Sequence, residues 1–262
     1  MPPPARRRMR LARGQRISPV AFPASFTLAN ALCGFLAVVH IADGRFPFAC
    51  WFIILAGVFD LFDGMVARKV NGQSEFGIQL DSLADTVSFG LAPAFLVHQF
   101  ALQDYRIFGT IVSSLLLLAG IMRLARFNVS FDGEKKEHFT GLPIPMQAAT
   151  IVALILNVDR GDFTLYSPGG LSLLVPIVIG LAALMISTID YDSGPKPSAQ
   201  WIRAHPRKAV LYLIGLLLVL FLQERGLLIA LAGYHALNIG AALLRFGQAV
   251  RNATPEDPAP TA

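Results

Sequence analysis

The hydrophobic positions of this chain do not alternate with polar ones. They come in long runs separated by short polar breaks, at residues 20–41, 46–66, 78–100, 107–127, 144–158, 171–189, 209–222 and 227–244. Most approach the ~20 apolar residues that a helix needs to cross a bilayer, with the fifth and seventh at the short end. The pattern predicts an all-α, polytopic integral membrane bundle of about eight transmembrane helices. Composition agrees: 54% of the 262 residues are hydrophobic and 15% are charged, and the mean hydropathy is +0.56. Those values exclude an ordinary soluble domain.

Charge orients the bundle. With the N terminus inside and every run crossing, 18 of the 22 Lys and Arg residues fall on the inner side, and only Arg45, Arg106, Arg160 and Arg225 lie outside. An excess of that size places both termini in the cytoplasm. Residues 1–18 form a basic arm, carrying Arg6, Arg7, Arg8, Arg10, Arg13 and Arg16, that suits an anionic lipid surface. A signal peptide cut near Ala29-Asn30-Ala31 would discard Thr27 and Asn30, and the membrane context argues against a nucleic-acid partner for the arm. Residues 19–250 make the membrane-embedded body, and the Pro-rich, acidic residues 251–262 a disordered tail. Cys33 and Cys50 lie in or beside apolar runs with no metal or disulfide spacing, so they read as packing residues. His40, His98, His205 and His235 have no partner spacing, and His138 falls in a solvated loop.

The polar residues inside the runs change the picture. Asp60 and Asp63 are three apart on the second run, and Asp81 and Asp85 four apart on the third, so each pair shares one helix face. The link at 69–76 is short and polar and suits antiparallel neighbours. With the boundary near Arg68 and Gly77, Asp63 and Asp81 lie roughly 6–8 Å inside, and Asp60 and Asp85 roughly 12 Å inside. Ionised groups at such depth are costly and usually functional. Four facing carboxylates cannot all stay ionised without a counter-charge, and an all-oxygen donor set suits Mg²⁺, Mn²⁺ or Ca²⁺. Two such ions would suit phosphoryl transfer. Gly64 and Ala67 continue the face of the first pair, and Gly77 opens the second helix, leaving room for a ligand.

Two further polar pairs sit three residues apart. Thr27 and Asn30 on the first run read either as ligands to a nucleotide or phosphate near the acids, or as interhelical packing residues. Arg123 and Arg126, at the inner end of the fourth run, read either as contacts to a phosphate or carboxylate, or as snorkelling anchors.

The pattern Asp60-x2-Asp63-Gly64-x2-Ala67-Arg68-x8-Gly77-x3-Asp81-x3-Asp85 resembles the signature of the CDP-alcohol phosphotransferases at all eight fixed positions. Arg123-Leu-Ala-Arg126-Phe-Asn128, followed by Phe139-Thr-Gly141-Leu-Pro143-Ile-Pro145, is similar to a pattern typical of the phosphatidylserine synthases within that class, as is Thr27-Leu-Ala-Asn30 followed by Gly34. The likeness covers roughly residues 20–150, with Met146-Gln147 standing where smaller residues are commoner. It implies transfer of a phosphatidyl group from CDP-diacylglycerol to L-serine with release of CMP. It implies two Mg²⁺ or Mn²⁺ ions held by Asp60, Asp63 and Asp81, with Asp85 as general base that also touches a metal. It implies substrate contacts from Thr27, Asn30, Gly64, Ala67, Arg68, Gly77, Arg123 and Arg126, and a homodimer in the cell membrane with its site on the cytoplasmic side. Other acceptors (glycerol 3-phosphate, choline or an inositol phosphate) and a cation transporter using the four acids are the competing readings.

Overall fold

The computed structural model describes residues 21–69, 75–129, 138–159, 172–192 and 199–253. The basic arm, the tail beyond 253 and the loops at 70–74, 130–137, 160–171 and 193–198 lie outside the described residues.

The helices follow the apolar runs. They are α1 (Ala21–Ala42), α2 (Phe46–Lys69), α3 (Glu75–Asp85), α4 (Ala92–Val97), α5 (Arg106–Val129), α6 (Ile144–Asp159), α7 (Leu174–Ile186), α8 (Ala199–Ala204) and α9 (Pro206–Ala253). Thr86–Leu91, between α3 and α4, and His98–Leu102, after α4, are π-helical. Among the described residues, four helical stretches are long and apolar enough to cross a membrane: Ala24–Ala42, Phe46–Met65, Glu75–Val129 and Pro206–Gln248. The last two each contain a break, at Arg106 and Gln223, non-glycine residues with φ of 50°. At Arg106 the chain doubles back, so that α5 packs on α4. Helices α6 and α7 are shorter, and the 13 residues of α7 reach only about 20 Å.

Sequence reading did not foresee a short β-ribbon among the described residues. His138–Thr140 (β1) and Asp190–Asp192 (β2) pair antiparallel, with Phe139 opposite Tyr191. The ribbon ties the segment before α6 to the one after α7.

Helices α1 and α2 turn many of their smaller and polar residues inward and large apolar ones outward, the arrangement expected where lipid replaces water. On α1 the buried stripe is Thr27, Asn30, Gly34, Ala37 and Ile41, while Leu28, Leu32, Phe35 and Val39 are exposed. On α2 the stripe runs Ala49, Ile53, Ala56 and then Asp63, with the half-buried Asp60 between them, against exposed Phe48, Trp51, Leu55 and Leu61. The spacing alternates three and four, so α1 and α2 meet along one seam, and the seam ends in the acids. Helix α6 is buried along nearly its whole length, with Ile144, Ile151 and Ile155 fully enclosed. A helix apolar all round belongs at the centre. The Pro143 carbonyl accepts from Met146 and Gln147 at 3.0 and 3.1 Å, starting that helix.

Helix α1 lies tightly against the π-helical segment that follows α3. A Cβ on Gly34 would lie 2.7 Å from the Ser88 Cα. Beside it the Ser88 hydroxyl donates to the Asn30 carbonyl at 2.9 Å. Replacing Gly34 with Ala should therefore destabilise the protein by about 1–3 kcal/mol, read as a lower melting temperature in detergent. Gly64→Ala, whose added methyl meets nothing within 4 Å, should leave the melt unchanged. Equal melts for the two variants would overturn this account of the seam.

Candidate active site

Three helices bring the acids together. Asp60 and Asp63 end the inward stripe of α2, and Asp81 and Asp85 lie on the inward face of α3. One carboxylate oxygen each from Asp60, Asp81 and Asp85 falls within 4.8 Å of the others. Asp63 is buried beside them and accepts a hydrogen bond from the Thr27 hydroxyl of α1. Asn30, fully buried one turn along, donates from Nδ2 to Asp85 Oδ1 at 3.1 Å. Thr27 and Asn30 thus each face one acid, as a ligand-bearing first helix would require. Asp85 and Asp63 are enclosed while Asp60 and Asp81 are only half-buried, which leaves the cluster an open side.

The donor chemistry of this cluster fits a hard divalent cation. Its converging groups are carboxylate oxygens, with no nitrogen or sulfur donor among the described residues of the cluster, and a cation between them would relieve their mutual repulsion. Asn30 Oδ1 is buried with no protein partner, one more oxygen available to whatever enters.

Helix α5 contributes Arg123, 8% exposed, whose charge acts on Asp85 and on Tyr234 of α9. Arg126, three residues on, turns to the backbone of neighbouring segments. Its guanidinium donates to the carbonyls of Thr140 at 2.9 Å, Ile186 at 3.0 Å and Ser187 at 3.3 Å. It holds the C-terminal end of α7 against the segment after β1. Gly141 has a φ of 80°, and a Cβ there would lie 2.3 Å from the Met185 carbonyl and 2.8 Å from the Arg126 guanidinium. Asn128 donates to the Ser82 hydroxyl at 3.0 Å, fixing the end of α5 against α3 between the two acids of that helix.

Gly64 is exposed with open space about it, and Gly77 is half-buried near the start of α3. Ala67 and Arg68 lie on the last turn of α2, and their side chains are outside the described residues. Sequence reasoning missed Ser82, Ser88 and Asn128. Their one signal was sequence position: Ser82 and Ser88 flank the acids of α3, and Asn128 closes the arginine segment.

Comparison with known proteins places these residues in context. The sequence profile of the CDP-alcohol phosphatidyltransferase family matches residues 20–189. A protein of Helicobacter pylori named CDP-diacylglycerol–serine O-phosphatidyltransferase is 33% identical over 175 residues, 67% of this chain and 73% of its own length. The Bacillus subtilis protein of that name is 35% identical over 178 residues, 68% of this chain and 93% of its own. An archaetidylserine synthase of Methanothermobacter thermautotrophicus is 41% identical over 175 residues, 66% of this chain and 70% of its own. All the residues of the acid cluster, with Asn30 and Arg123, fall within the matched span.

The contacts of Arg126 lead to an expected stability defect. Arg126→Ala leaves three backbone carbonyls without their donor and should cost about 1–3 kcal/mol. Arg126→Lys should recover only part of it, since one ammonium cannot span the fork. Thermal melts in detergent read both, and a wild-type melt for Arg126→Ala would remove the anchoring role.

Proposed function

Because this chain belongs to the CDP-alcohol phosphatidyltransferase family, we propose that it transfers the phosphatidyl group of CDP-diacylglycerol to L-serine, giving phosphatidylserine and CMP. The observation that carries the proposal is the convergence of Asp60, Asp81 and Asp85 inside the family-matched bundle, with Asn30 bonded to Asp85. Serine as acceptor is supported by the names of the relatives.

In this reading the serine hydroxyl oxygen attacks the phosphorus that bears the diacylglycerol oxygen. The bond from that phosphorus to the CMP oxygen breaks, and the hydroxyl proton passes to Asp85. Asn30 occupies Oδ1 of Asp85 and leaves Oδ2 to take the proton. The same hydrogen bond fixes the carboxylate rotamer, which general-base catalysis requires. Asp60, Asp63 and Asp81, with Asp85 alongside, are the residues that would hold two Mg²⁺ or Mn²⁺ ions, which when bound would neutralise the diphosphate and stabilise charge on departing CMP. Thr27 orients Asp63 within that set. Arg123 supplies a fixed, nearly enclosed positive charge beside Asp85 for the lipid phosphate or the serine carboxylate. Arg126 positions the loop and ribbon behind it rather than touching substrate. Gly64, Ala67 and Gly77 leave space for the nucleotide, with Arg68 at its edge.

The reading includes eight crossings with both termini in the cytoplasm, supported by the 18-to-4 division of Lys and Arg. The acids then lie at the cytoplasmic side of the cell membrane, where water-soluble serine and CMP exchange while the donor's chains stay in lipid. The homodimer implied by the family likeness belongs to the same reading.

Release of CMP by the purified protein in detergent, with CDP-diacylglycerol and Mn²⁺ or Mg²⁺, is the test. L-serine should support release, EDTA should abolish it, and Asp85→Asn should lower it by about 10²-fold or more. Release with glycerol 3-phosphate, choline or an inositol phosphate but not with serine would reject the acceptor. Silence with every alcohol would reject the reaction.

A further inference from the structure

The two segments of α9, residues 206–222 and 224–253, stand outside the acid-bearing core. No residue of 206–222 is buried, and Leu213, Leu216, Leu220 and Phe221 are more than half exposed. The segments face each other across a cavity of about 660 Å³. Leu211, Ile214 and Leu218 line one wall and Leu227 and Leu231 the other, with Met146 of α6 also in the lining. Lys208, Arg245 and Asp190 line it as well, and the two cations lie near the polar ends of their segments. None of the four site aspartates lines this cavity.

We propose that this wedge is a binding site for an anionic glycerophospholipid of the surrounding membrane, with an acyl chain between the two α9 segments and its phosphate at Lys208 and Arg245. Length, lining and charge support that occupant. From Lys208 to Val219 the first segment rises about 17 Å. That is close to half of the ~30 Å hydrocarbon core, the reach of one leaflet. Between the charged residues at that end and Val219 the lining is mainly aliphatic, with Leu211, Ile214, Leu218, Leu227 and Leu231, the surface an acyl chain matches.

At the charged end, two cations face one acid. Arg245 approaches Asp190 at 3.9 Å, and both side chains are well exposed, at 65% and 48%. So loose a pair holds little energy, and a phosphate can take the guanidinium from it in a bidentate contact. Arg203 and Arg207 lie in the same stretch of chain as Lys208 and add to the positive field at that end. The site needs only a membrane around the protein, so its fate is separate from that of the catalytic proposal.

Native mass spectrometry of the full chain released from detergent, titrated with phosphatidylglycerol or phosphatidylcholine, tests it. One phosphatidylglycerol should be retained per chain in preference to phosphatidylcholine. Gly233 lines the cavity, and a Cβ there meets nothing within 4 Å. Gly233→Leu should therefore fill the wedge without disturbing the fold, and weaken retention by about tenfold or more. The surface double substitution Lys208→Gln with Arg245→Gln should abolish the preference for the anionic lipid, and carries the test if Gly233→Leu does not fold. Equal retention of the two lipids by the wild type would overturn the proposal. So would undiminished retention by Gly233→Leu, or a change in that variant from dimer to monomer, which would make the wedge a contact between copies.

Discussion

Bringing Asp60, Asp81 and Asp85 to within 4.8 Å of one another inside an apolar bundle is the constraint on which the rest of the structure depends. Like charges this close repel, and the surrounding helices offer little dielectric relief. The protein holds them there with neutral donors rather than cancelling them one for one. Thr27 binds Asp63 and Asn30 binds Asp85, both from α1. Helix α1 can deliver those donors only because Gly34 lets it lie against the segment after Asp85. That segment is π-helical, a geometry that is frequent at functional sites and that re-aims side chains by a fraction of a turn. In the proposed reaction the acids are therefore preorganised for a cation and an anionic substrate.

Helix α5 shows how one short segment serves three levels of structure. Arg123 points its charge into the site, Asn128 pins the helix to α3 through Ser82, and Arg126 holds α7 and the ribbon. The ribbon in turn carries Tyr191, fully enclosed, whose ring lies 6.0 Å from that of Tyr234 on α9. Through Arg126 on one side and Tyr191 on the other, the ribbon joins α5, α7 and α9.

The membrane class, the positions of the helices and the pairing of acids across α2 and α3 were legible in the sequence, because each rests on a strong local signal. Runs of apolar residues set the helices, and carboxylates stand out against them. Thr27 and Asn30 were legible too, as polar residues three apart on an apolar helix. What was hidden depends on partners far along the chain. Arg123 and Arg126 look alike in sequence, and only the placement of the Thr140 and Ile186 carbonyls separates a charge in the site from an anchor behind it. The ribbon of three residues a side is too short to leave a periodic trace. His235, without a partner at any helical spacing, meets the Thr150 hydroxyl at 2.9 Å across 85 residues of chain.

The family match ends at residue 189, and the architecture changes character there. Up to that point the helices enclose one another around α6. Beyond it, α9 meets the body through α6 and β2 along its second segment and leaves its first segment to the lipid. A segment with no buried residue contributes little to holding the acids, so its apolar face must be matched by something other than the core. Water is the one partner that the exposed Leu and Phe side chains exclude. In a bilayer the cheapest remaining match is hydrocarbon, and the splay of the two segments, with cations near one end, shapes that match to a single leaflet. The second segment of α9 joins the family-matched bundle through α6, where Thr150 meets His235 at 2.9 Å and Asn157 donates to the Glu224 carbonyl at 3.0 Å.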